Sequence, residues 1–206
     1  MVLTGFSNPG ILPRLTLRPS AEAAVIQYRK KGTAHIIVSS GRYMTKMKFC
    51  STCMIYRPER TFHCNFCGNC VHMFDHHCTW LGTCVGGRNY KQFVAFILSV
   101  TILEMYCLAM SIIHWMLIAA DEYDELTFWE GLKEGIINFP SLIPVILVCL
   151  VISAFTIKLF ILHITLICHS LSTYEYLKHH FKDALFNPHK KSCGVSCMNL
   201  LCKKRP

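Results

Sequence analysis

Residues 50–84 read CSTCMIYRPERTFHCNFCGNCVHMFDHHCTWLGTC. Seven of the chain's 13 cysteines fall in this stretch. Cys50-x2-Cys53 is followed by His63-Cys64-x2-Cys67-x2-Cys70, then by Asp75-His76-His77-Cys78 and Cys84. A Cys-x2-Cys pair on a tight turn can present two thiolates to one tetrahedral zinc. Two structural zincs require eight ligands. The candidates are the seven cysteines with His63, His72, His76 and His77. That inventory fills two sites and leaves one thiol over.

Outward from this block lie two long apolar runs, Phe93 to Ala120 and about Ser141 to Cys168. Each exceeds the roughly 20 helical residues that cross a hydrocarbon core. Each holds one formal charge, Glu104 or Lys158. The chain has 206 residues and a mean hydropathy of +0.36. That leaves too little other material to bury two such helices in a soluble core, so they are expected to span a membrane. With 52% hydrophobic residues the chain is not a disordered one.

The net charge of +9 sorts along the chain. Residues 1–92 hold twelve Lys and Arg against three acids, 121–140 hold one Lys against six acids, and 169–206 hold seven basic residues against two acids. Basic residues collect on the cytosolic side of membrane spans. Both ends are therefore expected in the cytosol, with the acidic loop lumenal or extracellular. Membrane orientation explains the charge more economically than nucleic-acid binding, and no nucleic-acid partner is expected. The cysteine block then faces a reducing compartment, which favours metal over disulfides.

The leftover thiol is the informative residue. Cys78 follows Asp75-His76-His77. A histidine beside a cysteine can take its proton, and an aspartate can orient that histidine. One of the two histidines could bind zinc while the other faces the thiol. The competing reading is that every residue here is structural or binds a protein partner.

Residues 50–93 follow the pattern C-x2-C-x3-RPxRxxHC-x2-C-x2-C-x4-DHHC-x-W-x3-CVGxxNYxxF. This closely resembles the cysteine-rich domain of the DHHC-type protein S-acyltransferases (palmitoyltransferases). Ser172-Thr173-Tyr174-Glu175 resembles that family's TTxE motif, with Ser for the first Thr. Ser7-Asn8-Pro9-Gly10 is similar to its DPG element, with Asn for Asp, and Asn187-Pro188 more weakly resembles the start of its C-terminal motif, with His189 in place of an aromatic. Thr79 stands where the family commonly has Pro, and Trp80 is retained.

The two apolar runs and the resemblance together imply an α-helical integral membrane protein with two transmembrane helices and a small cytosolic zinc-bound domain of short β-hairpins. The implied organisation is a cytosolic N-terminal segment at 1–46, the cysteine-rich zinc domain at 47–92, a transmembrane helix at 93–120, an acidic loop at 121–140, a second transmembrane helix at 141–168 and a cytosolic tail at 169–206. The family usually has four or more spans. This chain begins where the family's second cytosolic segment begins, so the first two spans are expected to be missing.

The resemblance also implies the roles. One zinc would take Cys50, Cys53, His63 and Cys70, and the other Cys64, Cys67, His77 and Cys84. Cys78 would be the nucleophile, His76 its base and Asp75 the residue that orients His76. Long-chain acyl-CoA would be the co-substrate, and cytosolic or membrane proteins with an accessible cysteine the acceptors. The alternative is a membrane-tethered zinc scaffold or an inactive fragment of such an enzyme.

Smaller signals complete the reading. Arg57, Arg60, Arg88 and Lys91 are candidates to receive CoA phosphates, or are ordinary solvated or structural charges. Glu104 and Lys158 both lie roughly 15–16 Å from the cytosolic ends of their spans at 1.5 Å per residue, and a contact between them is expected. Residues 21–31 could make a short helix near the membrane. Met1 to Arg14 has no signal-peptide pattern. Cys193, Cys197 and Cys202 could be acylated or be free thiols; no third zinc site is expected, because no histidine spacing accompanies them. His114, His163 and His169 are expected to be packing or interfacial residues, and Trp80 and Trp129 suit interfacial positions. The terminal Lys203-Lys204-Arg205-Pro206 resembles a dilysine retrieval signal, which points to an endomembrane such as the endoplasmic reticulum or Golgi. No internal repeat stands out.

Overall fold

The computed structural model describes residues 1–14, 35–40, 43–121, 127–178 and 191–202. The expected helix at 21–31, the Asn187-Pro188 motif and the terminal basic cluster lie outside the described residues. The chain forms two compact units, one of Met1–Phe93 with Thr165–Pro206 and one of Val94–Ile164.

The first unit opens with a short helix α1 (Val2–Gly5). Strands β1 (His35–Ser40), β2 (Tyr43–Cys50) and β3 (Ile55–Tyr56) form an antiparallel sheet in that order. Two separate hairpins come next: β4 (Thr61–Cys64) with β5 (Asn69–His72), and β6 (His76–Cys78) with β7 (Thr83–Val85). Strands this short cannot build an apolar core of their own. Sulfur takes that place. One buried cluster joins Cys50, Cys53, Ile55 and Cys70, and another joins Cys64, Val71, Phe74 and Cys84.

The hairpin registers expose a repeat that the letters alone hide. Cys50 pairs with Ile55, Cys64 with Asn69 and Cys78 with Thr83. Each pair closes a four-residue turn whose last residue is left-handed: Met54 at φ 58°, Gly68 at φ 65° and Gly82 at φ 65°. The period is 14 residues, read directly from Cys50, Cys64 and Cys78. Cys53 and Cys67 share a place in it, as do His63 and His77, and Cys70 and Cys84. In the third copy Leu81 stands where the second thiolate of a zinc turn would be. The repeat escapes sequence reading because this third copy has lost its ligand pattern and kept only the turn.

The N-terminal segment edges this module. Asn8 Oδ1 accepts from the Gly10 and Ile11 amides at 2.8 and 2.9 Å. The chain then runs beside β5, with Leu12 N donating to Cys70 O at 2.9 Å and His72 N donating to Gly10 O at 2.9 Å. Close approach needs Gly86, where a Cβ would lie 2.5 Å from Pro9 O and 2.6 Å from a Val71 methyl.

Among the described residues two helices are long and apolar enough to cross a membrane: α2 (Tyr90–Asp121), over Tyr90–Leu117, and α4 (Leu142–His169). They leave large apolar side chains uncovered, among them Ile102 at 61% and Val151 at 70% exposed. The helix α2 begins three residues ahead of the apolar run, directly after Asn89. Asn89 is fully buried, accepts from Gly86 N at 2.9 Å and donates to Cys84 O at 3.0 Å. Within the acidic 121–140 segment, read as a loop, lies the helix α3 (Phe128–Asn138). Its start is a capping box of Thr127 and Glu130.

The expected Glu104–Lys158 contact does not form. Glu104 instead accepts from Thr156 Oγ1 at 2.6 Å, and Lys158 is exposed. Positions two apart on a helix point about 200° from one another, so the face that offers Thr156 turns Lys158 away. His163 is buried, whereas His114 and His169 are exposed.

A serine closes α4. Ser170 is left-handed at φ 55°, with Leu171 N donating to Leu166 O and Ser170 N to Ile167 O. This is a Schellman ending with serine in the usual glycine position. The next helix, α5 (Thr173–Leu177), starts at a capping box of Ser172 and Glu175.

Glu175 also binds Arg60 through two bonds, Nε to Oε1 at 2.8 Å and Nη2 to Oε2 at 2.6 Å. Glu175 is 3% exposed, so Glu175→Ala buries an uncompensated guanidinium. A cost of about 3–5 kcal/mol is expected, read as a lower Tm of the detergent-solubilised chain. Arg60→Lys keeps the charge and loses the two-pronged geometry, so its loss is smaller.

Candidate active site and zinc clusters

Two four-residue clusters stand in the hairpins, Cys50–Cys53–His63–Cys70 and Cys64–Cys67–His77–Cys84. The registers explain them. His63 faces Cys70 across one hairpin and His77 faces Cys84 across another, while each Cys-x2-Cys turn adds two thiols. The His63 Nδ1 lies 3.5, 3.4 and 3.7 Å from the sulfurs of Cys50, Cys53 and Cys70. The His77 Nδ1 lies 3.7, 3.4 and 3.8 Å from those of Cys64, Cys67 and Cys84. A tetrahedral zinc with ordinary Zn–S and Zn–N bonds has S···N edges of about 3.6 Å. The residues therefore fit one zinc in each cluster.

The electrostatics agree. Burial pushes the Cys70 thiol well up, and the nearby Cys50 and Cys53 sulfurs add to it. Burial does the same to Cys84, with Cys67 and Cys64 adding. Crowded sulfurs of this kind become stable thiolates when a cation joins them. Burial, then the charges of Arg57 and Arg14, hold His63 below its usual range. A metal-binding imidazole must be neutral, and that environment keeps it so.

The strand β6 places the remaining residues. Successive strand side chains point to opposite faces. His77 turns to its zinc cluster, so His76 and Cys78 share the other face. Cys78 is buried at 8% exposure and belongs to neither cluster. The His76 Nδ1 lies 2.7 Å from Asp75 Oδ2. Donating there fixes the tautomer that leaves Nε2 as an acceptor. The His76 ring rests edge-on against Phe93 at 5.1 Å.

Asp75 is itself held. Oδ1 accepts from Thr173 N at 2.8 Å and Oδ2 from Thr173 Oγ1 at 2.8 Å. Its carbonyl accepts from Tyr174 N at 3.1 Å. With Arg60 Nη2 also donating to Ser170 O at 3.1 Å, residues 170–175 form a clasp over the hairpins. Arg60 is thus committed to structure. Arg88 and Lys91 are exposed, and Arg57 has a buried Nε without a hydrogen-bond partner.

Thr173→Val keeps the backbone bond to Asp75 and removes the hydroxyl bond. A hydrogen bond to a charged group contributes about 1.5–3 kcal/mol. A loss of stability of that size is expected, read as a lower Tm, with Thr173→Ser restoring it and zinc content unchanged in both.

Residues 43–180 match the family model of the DHHC palmitoyltransferases. The chain belongs to the DHHC palmitoyltransferase family. It is 35% identical to human palmitoyltransferase ZDHHC18, covering all of this chain and 54% of that protein. It is 33% identical to human palmitoyltransferase ZDHHC9, over all of this chain and 58% of that protein, and 29% identical to protein S-acyltransferase 8 of Arabidopsis thaliana, over 99% and 51%. The chain spans about half the length of these curated relatives. As a DHHC family member with two long apolar helices, it is a membrane protein.

Its departures from the DHHC family pattern have local explanations. Ser172 caps α5 with the same kind of hydroxyl that Thr would supply. Asn8 accepts two backbone amides through its side-chain oxygen, as an aspartate could. Thr79 and Trp80 are exposed, Trp80 at 84%.

Sequence reasoning located Thr173 and Glu175 in a motif without giving them partners, and it missed Asn89 as a support for Cys84. Their partners lie far along the chain, with Thr173 98 residues from Asp75 and Glu175 115 residues from Arg60. The tail holds a further surprise. Cys168, Cys193 and Cys197 converge, their sulfurs within 4.8 Å of one another, and Cys168 is bonded to Cys193.

Proposed function

We propose that the protein is a protein S-acyltransferase working through an acyl-Cys78 intermediate, with long-chain acyl-CoA as donor. The observation that carries this reading is the position of Cys78. It is the thiol excluded from two complete ligand sets, on the strand face it shares with a histidine already oriented by Asp75.

The reaction is two thioester exchanges. The His76 Nε2 takes the Cys78 proton, and the thiolate attacks the acyl carbonyl. The carbon–sulfur bond to CoA breaks as the new one to Cys78 forms, and CoA leaves as the thiol after taking the proton from His76. The neutral His76 then takes the proton of a cysteine of a cytosolic or membrane protein, that thiolate attacks acyl-Cys78, and the bond from the acyl carbon to Cys78 breaks as Cys78 leaves and recovers the proton from His76. Asp75 stabilises the imidazolium formed at His76. Cys50, Cys53, His63 and Cys70 would hold one zinc and Cys64, Cys67, His77 and Cys84 the other, and the two would supply structure by joining the hairpins.

The charge distribution supports cytosolic ends and a lumenal or extracellular acidic loop. Among the basic candidates for CoA phosphates, Arg60 is held by Glu175, which leaves Arg57, Arg88 and Lys91. The purified chain, incubated with palmitoyl-CoA, is expected to release CoA and take up acyl label that hydroxylamine removes. A zinc scaffold would show neither. His76→Gln is expected to lower the rate about 10²- to 10⁴-fold, the usual contribution of a general base.

A further inference from the structure

The helix α6 (Cys193–Cys202) carries Cys193 and Cys197 one turn apart, and both face Cys168 in the last turn of α4. Polar contacts seat the same helix. Ser170 and Ser196 hydroxyls are 2.9 Å apart, and Lys191 N donates to Ser170 Oγ at 3.4 Å. In the structure Cys168 and Cys193 are joined as a disulfide, with Cys197 a free thiol beside them.

The redox setting of this triad comes from its neighbours. Six zinc thiolates and a nucleophilic Cys78 require a reducing compartment. The segment leading from α4 touches that module directly, through Ser170 O on Arg60 and Thr173 on Asp75. The triad therefore meets the same thiol pool.

We propose that Cys168, Cys193 and Cys197 form a third zinc site that pins the tail helix to the end of α4. Two glutathione-class thiols reduce the Cys168–Cys193 bond. They deliver two electrons and two protons, leaving one glutathione disulfide and two protein thiols. The three converged thiols then bind one zinc and release their protons. Thiolates are the ligand class that soft and borderline ions select. Among the described residues no further Cys, His, Asp or Glu joins the cluster, so the described chain supplies three ligands. Spacing along the tail could not show this, because one sulfur comes from 25 residues upstream.

The test counts metal in the full chain, purified in detergent with a phosphine reductant and no added metal. About three zincs per chain are expected. The double variant Cys193→Ser, Cys197→Ser is expected to lose one. In the unsubstituted chain, Cys168, Cys193 and Cys197 should resist a thiol-alkylating reagent until a chelator is added. The proposal is overturned by two zincs in the unsubstituted chain, by an unchanged count in the double variant, or by alkylation without chelator. It is equally overturned if these cysteines of the reduced chain remain disulfide-linked or carry acyl groups.

Discussion

Cys78→Ser is expected to abolish autoacylation and leave the zinc content of the chain unchanged. Both halves of that result come from one geometric fact. Cys78 occupies the first position of a hairpin turn that elsewhere holds a zinc ligand, at Cys50 and Cys64, but the second thiol of its turn is replaced by Leu81. Neither zinc cluster of the hairpins includes its sulfur, so removing it is expected to cost no cluster. The rate should fall by about 10⁴-fold or more, the scale on which losing a covalent nucleophile is felt. The substitution is nearly isosteric at a buried position, so Tm should move little. Elemental analysis and hydroxylamine-sensitive labelling of one preparation check both halves. Loss of a zinc with the label retained would make Cys78 a ligand.

Cys70→Ala is expected to have the opposite signature, with metal and fold failing together. Cys70 is fully buried on β5, pairs with His63 across its hairpin and accepts from Leu12 N through its carbonyl. A structural zinc contributes about 10–16 kcal/mol in small zinc domains. A whole domain has about 5–15 kcal/mol of net stability. Losing one site therefore exceeds what the module can spare. The damage should spread, because His63 of one cluster and Cys64 of the other are consecutive on β4. Zinc should fall by more than one per chain, with the hairpins becoming open to protease. A loss of one zinc with the second cluster intact and the fold preserved would show that the clusters are independent.

The sequence was most legible where chemistry is periodic or local. The zinc ligands lie at short fixed spacings, so both clusters and the spare thiol could be anticipated, and the resemblance supplied their pairing. The two long apolar runs needed only length and composition.

Hidden features depend on side chains meeting across long separations. Thr173 on Asp75 and Glu175 on Arg60 are bonds between a membrane helix's exit and a hairpin module, and no periodicity marks them. Arg60 was a candidate for a phosphate or a structural charge, and Glu175, which takes two of its donors, makes it structural. Glu104 went to Thr156 because helical phase, absent from a depth estimate, decides which neighbour faces it. The 14-residue repeat was present in the letters but legible only through the hairpin registers. A place in a turn can persist after its ligand has gone.

The most direct test of acyl transfer through Cys78 is where acyl mass first appears. The full chain, purified in detergent and exposed briefly to palmitoyl-CoA, can be digested and its cysteine peptides weighed without reduction. A hydroxylamine-labile palmitoyl group is expected on Cys78, formed early and lost when an acceptor cysteine is supplied. Acyl groups confined to Cys193, Cys197 or Cys202 and equally abundant in Cys78→Ser would contradict it.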